Sequence, residues 1–343
     1  MNLVKRIVLG ALLGCMGLSA WAEGAVTPVV NREYLPAVLA LINSATNSID
    51  YLHLEQHDGR AMRVIEAALG AAVKRGVAVR GLLDDGINFN TAAMERMVAL
   101  GADVRLDTPQ KMLHSKLVVV DGKAVLLGST NWTGNSMGNN NETNLRLDDP
   151  VLADFFERYI AALWADSAAE PDLPSVESSG VKTIINRQYF PEVLGLLNGA
   201  TQRIRVVMYG INYSPKYAGS KVNQLVEALA AAHDRGVDVA VAMDLSDYNT
   251  TLNRVNGPAK DYLAAAGVAV YDDAKNVTTH AKVVLADDAV VIGSVNWGMA
   301  ALEQRNETCV VVQDAVVADF FAAYFERPSL SATKRSAPQP VNP

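Results

Sequence analysis

Two short constellations of polar residues carry the chemistry this sequence can do. The first is His114-x-Lys116-x4-Asp121, followed by Gly128-Ser129-Thr130-Asn131 and then Asn141-Glu142. The second is His280-x-Lys282-x4-Asp287, followed by Gly293-Ser294-Val295-Asn296 and then Asn306-Glu307. Histidine can take up or give a proton near neutral pH. Lysine supplies positive charge, asparagine and serine donate hydrogen bonds, and glutamate can fix a histidine tautomer. Together these are the parts needed to hold an anionic phosphate. A lone His beside a Lys is an ordinary surface pair; the same set of polar positions written twice is not.

Positioning follows from the spacing. Residues two apart on a strand point to one face, so His and Lys of each motif share a side. The apolar runs after Lys116 and Lys282 read as largely buried strands, with their polar residues at one end. Asp121-Gly122 and Asp287-Asp288 mark tight hairpins. That position makes the two aspartates structural candidates, although the motif spacing groups them with the catalytic set.

The duplication extends along the whole chain. Asn31-Arg32-Glu33-Tyr34 recurs as Asn186-Arg187-Gln188-Tyr189, and Arg75-Gly76-Val77 as Arg235-Gly236-Val237. A period this long indicates a duplicated domain rather than a solenoid. In the first copy, helical spacing is expected over 36–44, 61–74, 91–100 and 151–164, and strands over 49–54, 77–83, 117–120 and 124–127. Strands alternating with helices predict an α/β sandwich with a mixed sheet in each half, duplicated about a pseudo-two-fold axis. The expected domains are repeat one over 23–165, a Ser/Pro-rich acidic linker over 166–180, repeat two over 181–327, and a disordered tail over 328–343.

The chain of 343 residues is 50% hydrophobic and 20% charged, enough to bury a core. Its net charge of −7 argues against a wholly basic nucleic-acid-binding surface. Residues 1–22 read as a secretory signal peptide: Lys5 and Arg6, an apolar run from Ile7 to Leu18, and Ser19-Ala20-Trp21-Ala22 before the cut. A lipoprotein cut before Cys15 is the minor alternative. Cleavage after Ala22 leaves 28 basic against 37 acidic residues and one cysteine, Cys309, so no internal disulfide forms. The expected location is periplasmic or secreted.

Other polar residues carry weaker signals. His53 and His57 follow the first core strand, opposite Tyr209 and Tyr213 in the second copy, and His57 and the tyrosines are candidates for the rim of the site. His53, Glu55 and His57 lack a further ligand at metal spacing, so no metal is expected. Asp84-Asp85 either lines the site or caps the next helix, and Trp132 and Trp297 are expected to pack behind the Gly-Ser-x-Asn turns.

The doubled motif resembles the signature of the phospholipase D superfamily, HxKx4D followed by GSxN, and the resemblance covers about 26–325. It implies a metal-independent phosphodiester transfer with no cofactor. One histidine attacks phosphorus and forms a phosphohistidine, and the other protonates the leaving group and then activates water or an alcohol. By that likeness His114 is the nucleophile and His280 the acid and base. Lys116, Lys282, Asn131 and Asn296 hold phosphate oxygens with Ser129 and Ser294 assisting, and Glu142 and Glu307 hydrogen-bond the histidines. The expected substrate is a phospholipid head group met at a membrane surface. A periplasmic nuclease is the alternative, and a cardiolipin synthase-like transferase a third reading. A monomer suffices for a complete site, with no obligate protein partner.

Overall fold

A computed structural model describes residues 25–327 and 329–335. The proposed signal peptide, Cys15 included, and residues 336–343 of the tail lie outside them. The first half runs β1 (Val26–Val30), α1 (Tyr34–Ser44), β2 (Ser48–His53), α2 (Arg60–Lys74), β3 (Ala78–Leu83), α3 (Asn90–Ala99), β4 (Asp103–Leu106), β5 (Lys116–Val120), β6 (Ala124–Gly128), α4 (Gly134–Gly138), β7 (Thr143–Leu147) and α5 (Pro150–Ala165). After β8 (Glu177–Ser178), the second half repeats the plan. It runs β9 (Val181–Ile185), α6 (Tyr189–Gly199), β10 (Arg203–Met208), α7 (Lys221–Asp234), β11 (Asp238–Met243), α8 (Thr250–Ala265), β12 (Ala269–Asp272), β13 (Lys282–Ala286), β14 (Ala289–Gly293), α9 (Met299–Glu303), β15 (Thr308–Gln313) and α10 (Ala315–Phe325). A last short strand, β16, spans Thr333–Lys334.

The sheet orders are β1-β7-β6-β5-β2-β3-β4 and β16-β12-β11-β10-β13-β14-β15-β9-β8. In each half the strand carrying the motif lysine is central. It runs antiparallel to the preceding core strand, with His53 opposite Lys116 and Met208 opposite Lys282. The predicted duplicated α/β sandwich with mixed sheets is therefore the fold. Sequence spacing missed β1, β4 and β7 and their partners. Strand β7 is obscured because it has only two apolar residues, Leu145 and Leu147, while Thr143 and Asn144 are buried on hydrogen bonds instead.

Three cores hold the layers together. The outer face of each sheet packs on its own helices. The inner faces share one core in which Leu117, Leu127 and Phe156 meet the same cluster as Leu285, Ile292 and Phe321. Helices α5 and α10 supply its aromatics. Each starts on an aspartate N-cap: Asp149 accepts from the Val151 and Leu152 amides, and Asp314 from those of Val316 and Val317. One continuous apolar core between the halves fixes them as a single body.

The turns after β6 and β14 depend on close backbone approach. A Cβ on Gly128 would lie 2.3 Å from the Thr143 carbonyl oxygen, and one on Gly293 2.3 Å from that of Thr308. No other residue fits. As expected, Trp132 and Trp297 are buried behind these turns, their indole N–H groups donating to Tyr34 at 2.9 Å and Tyr189 at 3.0 Å. Trp132→Ala is expected to cost about 3–5 kcal/mol of unfolding free energy, checked by chemical denaturation.

The tail expectation needs correction for residues 329–335. Leu330 is fully buried in the shared core, and β16 adds an antiparallel edge to β12. Arg335 reaches Asp272 and Asp261. A single apolar anchor in a Ser/Pro-rich stretch leaves no periodic signal. The linker is likewise held: Ser178 and Ser179 donate to Asp149, and Leu173 and Val176 pack on the core.

Candidate active site at the seam between the halves

His114 sits just before β5 and His280 just before β13. Their backbones are pinned across the seam rather than within their own half. The His114 amide donates to the Asn306 carbonyl at 2.9 Å, and the His280 amide to that of Asn141 at 2.9 Å. Each of those asparagines precedes a site glutamate. The consequence is an exchange: Glu307 Oε2 lies 2.9 Å from His114 Nδ1, and Glu142 Oε2 lies 3.0 Å from His280 Nδ1. Each histidine is thus held by the glutamate of the other half, although the sequence places each glutamate beside its own half's motif.

Both glutamates are fully buried. Burial alone would raise Glu142, but His280, Lys282 and the Ser129 hydroxyl outweigh it and hold the carboxyl below its ordinary value. Glu307 is lowered in the same way, against its own burial, by His114, Lys116 and Ser294. Burial pulls His114 down to about 3 despite Glu307, and lowers His280 despite Glu142. The resting pair is therefore a carboxylate accepting from a neutral imidazole. The Nδ1 carries the proton and Nε2 keeps its lone pair.

The lysines are as buried as the histidines, at 2% and 3% exposure. Lys116 Nζ donates to the His114 carbonyl and Lys282 Nζ to that of His280. Burial lowers Lys116 to about 8 and Lys282 to about 7, with the buried glutamates opposing the shift. Lys116 acts on His280 and on Lys282 as well as on His114, so the two motifs form one electrostatic cluster. Asn131 reaches this cluster through Glu55, whose charge acts on Lys116, and the Oδ1 atoms of Asn131 and Asn296 have no hydrogen-bond partner among the described residues.

Two expected roles change. Ser129 and Ser294 are fully buried and donate to Glu142 and Glu307 while accepting from the Thr143 and Thr308 amides. They set the glutamates and do not face a phosphate. Asp121 and Asp287 lie at the far end of five-residue strands, roughly 16 Å of extended chain from the lysines. Asp121 accepts from the Thr46, Asn47 and Ser48 amides, and Asp287 from those of Thr201, Gln202 and Arg203. They tie the hairpin to the preceding loop and are not catalytic. Asp121→Ala is expected to lose about 1–2 kcal/mol of stability through orphaned backbone donors and to leave kcat unchanged, read by denaturation and turnover together.

The weaker candidates separate cleanly. Asp84 does not cap a helix; its Oδ2 accepts from the Leu113 amide at 2.8 Å and so fixes the approach to His114, as Asp244 Oδ1 does through Thr279. His53 is fully buried and stacks on Trp132 at 4.0 Å. His57 is exposed against Phe89, and Tyr213 packs on Tyr262. Tyr209 does join the site, its ring 4.8 Å from that of His280 and 5.2 Å from Lys282 Nζ. Sequence reasoning passed over Arg305, whose charge acts on both His114 and Lys116. It also discounted Glu55, which accepts from Asn131 Nδ2 at 3.2 Å.

Two such halves closing on paired His and Lys residues define a member of the phospholipase D superfamily, whose enzymes are phosphodiesterases and phosphotransferases. The chain belongs to the family described as cardiolipin synthase, PLD-like domain, which matches residues 38–164 and 193–328. It is 24% identical over 339 residues to cardiolipin synthase B of Escherichia coli (strain K12), covering 86% of this chain and 78% of that protein. It is 35% identical over 93 residues to the mitochondrial cardiolipin hydrolase of Xenopus tropicalis, covering 27% of this chain and 44% of that one. The fold matches the crystal structure of phosphatidylserine synthase from Haemophilus influenzae with a TM-score of 0.74 at 12% identity, over 91% of this chain and 88% of that one.

Proposed function

We propose that this chain cleaves the head-group phosphodiester of a phospholipid, without a metal, through a covalent phosphohistidine. The observation that carries the reading is the pair of buried histidines, each hydrogen-bonded to the other half's glutamate, beside two buried lysines. His114 Nε2 attacks phosphorus; the N–P bond forms as the bond to the leaving oxygen breaks. His280 gives that oxygen its proton. It then takes a proton from water or an alcohol, whose oxygen bonds to phosphorus as the N–P bond breaks. The arriving phosphodiester charge favours the protonated form of His280, which makes it an acid only when substrate is present. Lys116, Lys282, Asn131 and Asn296 hold the non-bridging oxygens and stabilise the charge that develops there.

Relatives named for cardiolipin support a phospholipid over a nucleic acid. So does a net charge that opposes a polyanion. The synthase relative favours a second reading, in which the acceptor is an alcohol on another lipid rather than water. On the leader-like run at 1–22 we place the activity in the periplasm or outside the cell, with peripheral contact to the membrane. Among the described residues no helix is long and apolar enough to cross a bilayer.

Head-group release from mixed phospholipid vesicles in EDTA, compared with His114→Ala, tests the proposal. Release by the unaltered chain alone is expected; no release from any phospholipid overturns it. The lysines also predict a pH profile. They hold phosphate only while charged and lose that charge as pH rises through about 7 and 8. His280 must also take up a proton to act as the acid, and burial lowers it, so kcat/KM should already be falling by about pH 7 and should fall further as the lysines lose charge. His114 stays neutral down to about 3, so its acid limb lies far lower. A profile that keeps rising through pH 9 contradicts this assignment.

A further inference from the structure

The two-fold relation of the site breaks where β2 and β10 end. In the second half the chain passes through Gly210, where an added Cβ would meet only Leu252 Cδ1, at 3.6 Å. In the first half the same place holds Glu55: the backbone bond from Trp132 N to the Glu55 oxygen is matched by that from Trp297 N to the Gly210 oxygen. One carboxylate therefore enters an anion site from one side only.

Glu55 takes no part in holding a histidine. Its Oε2 accepts from Asn131 Nδ2, and its Oε1 has no hydrogen bond among the described residues. Its charge acts on Lys116, yet Lys116 Nζ donates to the His114 carbonyl. A half-buried carboxylate next to a bound phosphodiester is repelled by it and is costly to leave unpaired. Something that donates hydrogen bonds must offset that cost when substrate is present. The neighbouring Asn131 already donates, and only one of its two N–H groups remains for phosphate.

We propose that Glu55 Oε1 forms a one-sided subsite for a hydrogen-bond donor on the phosphodiester substituent: a hydroxyl of a polyol, or a primary ammonium. The inference rests on the phosphodiesterase reading above and deepens it by assigning the group the site selects. Selection works largely by rejection, because a substituent without a donor leaves the Glu55 oxygen desolvated and unpaired. The opposite side, lined by the Tyr209 ring and open at Gly210, makes no such demand.

The test compares the full chain with Glu55→Gln and Glu55→Ala on four phosphodiesters. Phosphatidylglycerol offers hydroxyls and phosphatidylethanolamine an ammonium; phosphatidylmethanol and bis(p-nitrophenyl) phosphate offer no donor. Because selection is largely by rejection, both variants are expected to shrink the kcat/KM preference for a donor-bearing lipid over the donor-free pair by at least about tenfold, by loss on the former, gain on the latter, or both. A preference lost for the glycerol lipid alone assigns the hydroxyl, and one lost for the ethanolamine lipid alone the ammonium. An equal change on all four, or no change on any, overturns the subsite. Cleavage of the nitrophenyl diester with no lipid turnover overturns the phospholipid reading instead. The subsite is then judged by competition: glycerol or ethanolamine should inhibit nitrophenolate release by the unaltered chain, and less so by Glu55→Gln. Equal inhibition of the two overturns it.

Discussion

His114→Ala and His280→Ala are each expected to lower steady-state turnover by about ten-thousandfold or more, on the order of 5 kcal/mol of barrier. They should fail at different steps, and a p-nitrophenyl phosphodiester separates them because its leaving group needs no proton. With His280→Ala, His114 still attacks. A burst of close to one nitrophenolate per chain is expected, followed by a stall, since nothing activates the water that must release the enzyme. With His114→Ala no burst is expected. The site is nearly two-fold, so the assignment has a definite mirror image. A burst in His114→Ala and none in His280→Ala would exchange the two roles.

The second large effect follows from the exchange of glutamates across the seam. A glutamine at Glu142 or Glu307 can present an N–H to Nδ1 and so favour the tautomer with its lone pair on the wrong nitrogen. Losses of about a hundredfold to ten-thousandfold are expected for each, the size seen when a carboxylate that orients a catalytic histidine is made neutral. The crossing makes the pattern diagnostic. Glu307→Gln acts on His114, so it should slow the nitrophenolate burst. Glu142→Gln acts on His280, so it should spare the burst and slow the steady state. If each glutamate served the histidine of its own half, the two outcomes would be reversed. Rapid-mixing measurement of burst rate and steady-state rate in both variants decides it.

Most of this site is legible in the sequence, because duplication prints it twice. His114, Lys116, Asn131 and Glu142 each have a mate at the same place in the second copy, and the strand–hairpin pattern puts His and Lys on one face. The duplicated sandwich follows from the same reading. What the sequence hides is what depends on the far half. Glu142 stands close in sequence to the first motif, yet it faces His280 because the Asn141 carbonyl accepts from the His280 amide. Ser129 looks like a phosphate donor by type, and only its depth beneath Glu142 shows otherwise. Asp121 shares the motif's spacing, but five residues of strand carry it to the far end of β5. Glu55 is hidden for the opposite reason: it occurs in one copy alone, and repetition is the signal that found the rest.

The central claim is one covalent intermediate on one histidine. It is tested most directly by mixing the protein with excess phospholipid, quenching within the first turnover in denaturant near neutral pH, and mapping the peptides by mass. A phosphatidyl adduct on the peptide containing His114, absent in His114→Ala, is the predicted result. An adduct on His280, or turnover with no adduct on either histidine, would contradict the account.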